Sequence, residues 1–303
     1  NTFFATGSQI LNNTSASAGG GVWADLGSKG VIDLSDSLFA YNVVTDTDAE
    51  GGGLYLDGFK ALAELDLQNT EFVSNVADQG GGAYLSGPLN DAYLNLRSAT
   101  FISNTARSSD GGGLYVGNSS NRAQIDAEAM TLKWNRAGLA GGGAYFSTAS
   151  NETQLNLRSA TFISNTAQGS DGGGLYVGGQ SNRVQIDAEE MTLESNLAAG
   201  DGGGMYLSEI EGGAHVTLDR SVFLSNTAGL AGGGFYGHQV RQGSYFLQVG
   251  GAFSHNQAGT NGGAVYWETN RPFGALRSST FQFDYITMTH NVAGGGGGGM
   301  YVN

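Results

Sequence analysis

The sequence predicts an all-β chain wound as a right-handed parallel β-helix (solenoid) of about ten coils, each of about 30 residues with three short strands. Two recurring motifs and one recurring gap predict it. The first motif is an apolar residue, two variable residues, then Asn. It occurs at Ile10–Asn13, Phe39–Asn42, Phe72–Asn75, Phe101–Asn104, Leu132–Asn135, Phe162–Asn165, Leu193–Asn196, Phe223–Asn226, Phe253–Asn256 and Met288–Asn291, at Asn-to-Asn spacings of 29 to 35. The second is Gly-Gly-Gly, an apolar residue, then an aromatic: Trp23, Tyr55, Tyr84, Tyr115, Tyr145, Tyr176, Tyr206, Tyr236, Tyr266 and Tyr301. The gap is the fixed distance of ten residues from Tyr55 to Leu65, repeated from Tyr84 to Leu94 and on to Tyr236 and Phe246.

Each unit yields its elements in order. After the aromatic comes a segment alternating apolar and polar residues, such as Leu65-Asp66-Leu67 or Leu94-Asn95-Leu96. Period two means a strand. Seven residues after Leu65 comes Phe72, opening a second strand that ends at the Asn turn. The Gly triplet then turns the chain into the third strand. No segment keeps a helical period over ten residues and no hairpin signal intervenes, so each strand pairs with its counterpart one coil away, about 4.8 Å along the axis. Right-handedness follows from the general preference of parallel crossovers. Residues 1–303 read as a single β-helix domain, with longer turns predicted to project as loops at 43–50 and 267–280. Residues 94–132 and 155–193 are nearly identical, which adds a two-coil super-repeat of 61 residues.

Composition excludes several classes. Gly makes up 52 of 303 residues, but without a period of three and with only 2 Pro the chain is not collagen-like. With 40% apolar and 13% charged residues it is not a disordered chain. No apolar run is long enough for a membrane-spanning helix. A net charge of −14 repels phosphate, so neither nucleic acid nor an anionic membrane is an expected partner. With no Cys there is no disulfide framework or thiolate chemistry. A chain starting at Asn1 fits a processed, exported protein.

The columns of the repeat carry the candidate residues. The position after the Gly triplet (Leu54, Ala83, Leu114, Ala144, Leu175) and the position at Phe72, Phe101, Leu132 and Phe162 face the core. The Asn column forms a structural ladder, each amide stacking on the next. The Gly column needs positive φ or close backbone approach. Facing outward, Asp33, Asp66, Asn95, Asp126, Asn156 and Asp187 form one polar column. Arg97, Glu128, Arg158 and Glu189 alternate in sign in another, an arrangement that places opposite charges on neighbouring strands. The Asp/Asn column is a candidate calcium or sugar site, but a line of carboxylates does not converge on a cation. Alternation also puts the ten aromatics outside, as an exposed stripe that either stabilises by stacking or contacts another chain or a glycan. Thr100, Thr131, Thr161 and Thr192 align, but Lys133 and Glu194 interrupt the flat array an ice-binding face needs. His255 and His290 share a column without a third ligand beside them, so no metal and no cofactor is expected. Asp110, Asp171 and Asp201 precede the Gly triplets as turn formers. Asn12, Asn13, Asn118 and Asn151 begin glycosylation-type sequons.

The strings GGGLY, GGGAY, NGGAVY, FVSN and FISN resemble the repeats of the chlamydial polymorphic outer-membrane proteins and related autotransporter-like passengers, which carry GGA followed by an aliphatic residue, and FxxN. Here GGG replaces GGA nearly throughout. The resemblance runs along the whole chain and implies a right-handed parallel β-helix, an extracellular or cell-surface location and an adhesive or structural role, with no catalytic residues.

Three functions are open on this reading. The expected one is a non-enzymatic extracellular structural protein. Phe3 falls at the Leu65 position of the repeat and the sequence closes at Met300-Tyr301-Val302, so uncapped coils are expected to stack head to tail into a filament. The second is an adhesin or passenger segment binding host or glycan surfaces. The third is a polysaccharide lyase or hydrolase, for which only the break at 267–280, with Trp267, Glu268 and Arg271, offers chemistry, and it lacks a second carboxylate.

Overall fold

A computed structural model describes all residues except 1, 88–89, 118–121, 148–151, 179–180, 239–242 and 269–278. Arg271, Pro272, Asn118 and Asn151 therefore lie outside the described residues. Among the described residues there is no helix, and so none long and apolar enough to cross a membrane.

Among the described residues the chain is a parallel β-solenoid with four sheets of ten strands each, and a short two-stranded one pairing Ser181–Asn182 with Ile210–Glu211. The first sheet runs from Thr2–Phe4 to Thr280–Asp284 and the second from Gln9–Leu11 to Thr287–Thr289. The third runs from Thr14–Ser15 to Val292–Ala293, and the fourth from Val22–Asp25 to Met300–Val302. Neighbouring strands pair in parallel at the predicted register, as in Leu94↔Ile125, Phe72↔Phe101 and Tyr84↔Tyr115. Two-residue strands make up the third sheet, the one beyond the three expected. The expectation of three strands per coil missed segments such as Val76–Ala77, which pairs with Thr105–Ala106 directly after the Asn turn. Two residues cannot display an alternation, so the sequence gives no periodic signal there.

The expected count of about ten equivalent coils is also corrected. Two strands of each sheet are edges, so about eight turns have a neighbour on both sides. In the outer two, Phe3, Phe4, Leu11 and Trp23 at one end, and Tyr285, Val292 and Val302 at the other, are exposed. Between them one continuous core runs along the axis. Phe39, Phe72 and Phe101 stack at 4.8 Å between centroids, each ring in the shadow of the last.

The bends explain two residue columns. In the triplet Gly51-Gly52-Gly53, the first has φ of +67°. A Cβ on the second would fall 2.6 Å from Val76 N, and one on the third 3.0 Å from the Phe72 ring. The triplet thus combines one left-handed residue with two close approaches to the next coil. The Asn bend instead places a non-glycine in the left-handed region. The residue before each ladder Asn has positive φ, for example Ser103 at +56°, Trp134 at +57° and Ser164 at +53°. Such conformations cost about 1–2 kcal/mol each, and the Asn that follows holds them in place.

The longer turn at 43–50 projects only at its tip. It opens with the strand Val43–Val44, and Val44 and Ala49 pack with Ala77 in a small apolar cluster. The Asp48 amide donates to Asp78 Oδ2 at 2.8 Å. Arg107 donates to the other oxygen of Asp78 at 2.6 Å. Burial works against the Asp78 charge, but the hydrogen bonds from Arg107 and Asp48 hold its carboxyl below the usual range.

Candidate functional site

Two ladders run along the solenoid, one inside and one outside. The inner one is the Asn column. Asn104 donates both its backbone N–H and its Nδ2–H to Asn135 Oδ1, each at 3.0 Å. Its Nδ2 also donates to the carbonyl of Phe72 in the coil before, at 2.8 Å. The same three bonds recur from Asn42 to Asn256, and both amide bonds to the next Oδ1 extend back to Asn13. The ladder of Asn13, Asn42, Asn75, Asn104, Asn135, Asn165, Asn196, Asn226, Asn256 and Asn291 is therefore continuous, and its members from Asn42 to Asn256 are buried. Each bond satisfies a polar group that the bend would otherwise strand in the core.

The outer ladder is the aromatic column. Tyr55 through Tyr301 stack face to face, with centroids 4.5–5.3 Å apart and interplanar angles of 4–15°. The expected exposed stripe is corrected on one point. Each ring covers the faces of its neighbours, so the tyrosines are half-buried and Tyr206 and Tyr236 buried, while Trp23 at the end is exposed. Such pairs contribute about 0.5–1.5 kcal/mol each beyond area burial. Burial pushes the phenols of Tyr84, Tyr145, Tyr206 and Tyr236 far up.

The charged columns are spent on each other. Asn95 and Asn156 each donate an amide to an Asp of the coil before, Asp66 and Asp126, both at 3.1 Å. Arg97 pairs with Asp126 at 2.7 Å and Glu128 at 3.6 Å, and Arg158 with Glu189 at 3.1 Å. The Asp/Asn column has no convergent geometry for calcium. Among the described residues no group of three His, Asp or Glu could hold a metal. His255 and His290 stack ring on ring at 4.8 Å, with Ser254 Oγ 2.7 Å from His255 Nδ1. Asp110, Asp171 and Asp201 sit in the bends before the Gly triplets, and they also link coils. Their carboxylates accept backbone N–H groups of the following coil, from Ala140 at 2.9 Å, Asp201 at 2.7 Å and Ala231 at 2.7 Å. Burial, reinforced by Asp171, pushes the Asp201 carboxyl up to about 6.

One cluster escaped the column reading. His238 Nδ1 lies 2.5 Å from Glu268 Oε2, and Tyr236 Oη donates to the same oxygen at 3.1 Å. The result is an imidazole oriented by a carboxylate beside a phenol. The signal that could have found it was register: the strand pairing Ser208↔His238 and Gly237↔Trp267 sets Glu268 beside His238. The sequence separates these two by 30 residues, and only the second stands in the break at 267–280.

Comparison with known proteins returns no match: no family model, no curated protein and no solved structure matches the chain. The likeness to polymorphic outer-membrane proteins rests on the repeat motifs alone, and what stands on the structure is membership of the parallel β-solenoid class.

Proposed function

We propose that the chain is a non-enzymatic, extracellular structural protein: a right-handed β-helical shaft that stacks head to tail on further copies into a surface filament. The observation that carries this reading is that the four sheets and both ladders keep one register from the first coil to the last, so a coil of one copy fits on a coil of another. By the rule of the ladder, every Asn Oδ1 accepts two bonds from the coil before it. Among the described residues nothing donates to Asn13 Oδ1, and the backbone N–H of Asn291 finds no Oδ1 to bond. Asn291 of one copy set over Asn13 of another continues the ladder, the four sheets and the aromatic column together. Exposed Phe3, Phe4 and Trp23 on one face and half-buried Phe281, Met288 and Met300 on the other offer apolar surface to the same contact. The contact is heterologous and does not close, so it propagates.

Electron microscopy and sedimentation velocity of the purified chain test the reading. Fibres with an axial repeat of about 48 Å are expected from ten strands at the spacing of paired strands. Trp23→Lys together with Leu11→Lys should abolish them. Monodisperse rods at millimolar concentration would sink the proposal.

A further inference from the structure

At the bend entering the first sheet, Asp91, Arg122, Glu152 and Arg183 occupy equivalent positions on successive coils, with φ of +58°, +62°, +66° and +60°. They alternate in sign. The next member is Gly213, where the alternation calls for an acid. The two arginines are held differently. Arg122 closes a two-point fork on Asp91, Nε to Oδ1 at 2.9 Å and Nη2 to Oδ2 at 3.0 Å. Arg183 reaches Glu152 through Nη1 alone, at 3.2 Å. Among the described residues nothing bonds its Nε or Nη2, the edge that matches a carboxylate point for point.

Arg183 borders a notch of about 530 Å³, lined also by Arg122, Glu152, Gln154, Gln185, Gly213 and His215. A Cβ built on Gly213 would meet nothing within 4 Å. The lining is polar and in register, Gln154↔Gln185↔His215. One coil further, the Tyr245 ring lies 5.9 Å from that of His215, tilted by 49°. A volume of this order takes one or two sugar rings. The amides and imidazole suit hydroxyl groups, which both donate and accept. The net charge of −14 disfavours a polyanion and leaves a single carboxylate on an otherwise neutral sugar as the fitting ligand.

We propose that this notch binds a hexuronic-acid residue of a glycan, its carboxylate on Nε and Nη2 of Arg183 and its hydroxyls on Gln154, Gln185 and His215. The site is independent of the filament contact, since it lies on the side of inner coils.

The test is a titration of the full chain with D-glucuronate at low salt, followed by calorimetry and by the NMR signal of the Arg183 side chain. D-glucose serves as the sugar without charge and acetate as the charge without sugar. Saturable millimolar binding of glucuronate is expected, with glucose and acetate at least about tenfold weaker. Glu152→Gln releases the guanidinium and should tighten binding about two- to fivefold. Gly213→Glu supplies the missing acid from the chain itself and should weaken it at least about tenfold. Should that variant fail to fold, the exposed Arg183→Gln gives the same expected loss. Acetate binding as well as glucuronate would reduce the notch to a carboxylate site and overturn the sugar assignment. Glucose binding as well as glucuronate, absence of saturable binding, or an unchanged affinity in Arg183→Gln would overturn the proposal altogether.

Discussion

Residues 94–193 and residues 205–268 use the same coil in opposite ways. In the first region the super-repeat holds every column to its type, and its ladder and column amides find partners within the pattern, while Thr153 Oγ1 is buried without one. In the second the inward column of Leu56, Leu85, Val116, Phe146, Val177 and Leu207 is emptied at Gly237 and then filled by Trp267. A Cβ on Gly237 would sit 2.7 Å from the Trp267 indole. Trp267 packs against Phe235, Phe246 and Phe281, at centroid distances of 5.8, 4.9 and 3.6 Å. Here also stand two buried polar atoms without partners, Trp267 Nε1 and Gln248 Oε1, and the His238–Glu268–Tyr236 cluster. The difference teaches that a solenoid tolerates an oversized residue by conceding volume in the adjacent rung. The oversized indole and the empty position stand on adjacent rungs, Trp267 beside Gly237.

The regular region is broken most sharply through its ladder. Asn165→Ala removes the Oδ1 that accepts two bonds from Asn135, and the Nδ2 that donates to the Leu132 carbonyl at 3.0 Å. Three buried groups lose a partner, at about 1–3 kcal/mol each before relaxation. A loss of about 3 kcal/mol or more is expected in chemical denaturation. Because the rungs are equivalent, Asn104→Ala should match it within about 1 kcal/mol. A loss below about 1 kcal/mol, or strongly unequal losses, would show that the rungs are not interchangeable.

That equivalence is also why so much was legible beforehand. A ladder Asn must recur at one position per coil, so its spacing alone reveals the inward bend between Phe101 and Thr105. The Gly triplets are legible for the same reason, since each coil crowds the next at the same place. The third sheet was hidden because Val76–Ala77 and its counterparts are too short to alternate. The burial of Tyr206 and Tyr236 was hidden because alternation reports which face a side chain points to, not how well its neighbours cover it. The notch beside Arg183 and the meeting of His238 with Glu268 depend on side chains that depart from their columns, and a periodic reading averages over departures.

The irregular region is sharpened by a double substitution. Trp267→Leu leaves a cavity, at an expected cost of about 2–3 kcal/mol. Gly237→Leu forces a side chain into the indole, at about 1–3 kcal/mol. If volume is shared between the rungs, the double variant rebuilds the Leu-on-Leu packing seen at Leu56 and Leu85 and recovers about 2 kcal/mol of the summed losses. Denaturation midpoints of the four proteins measure that coupling. Additive losses would mean that Gly237 is needed for something other than room for Trp267.

The smallest effect separates the regions by pH. Asp110 and Asp201 occupy one column, each accepting a backbone N–H from the next coil. Burial raises the Asp110 carboxyl, with only the Ala140 bond opposing it. Asp201 is raised to about 6, again by burial first, and the charges of Asp171 and Glu268 add to it. A carboxyl whose folded value lies above its unfolded value of 3.8 binds its proton more tightly in the native chain. Stability then falls as pH rises from about 4 through about 6, the reverse of a paired carboxylate. Allowing for solvent screening of a partly exposed group, the loss is about 1–2 kcal/mol. Asp201→Asn keeps the acceptor for Ala231 and removes the charge. It should raise the melting temperature by a few degrees at pH 7 and leave it unchanged at pH 4. Asp110→Asn should do the same more weakly, because no neighbouring acid adds to the burial there. A gain of equal size at both pH values would mean that the stabilisation comes from the amide's hydrogen bonds, and that the irregular region exerts no electrostatic hold on Asp201.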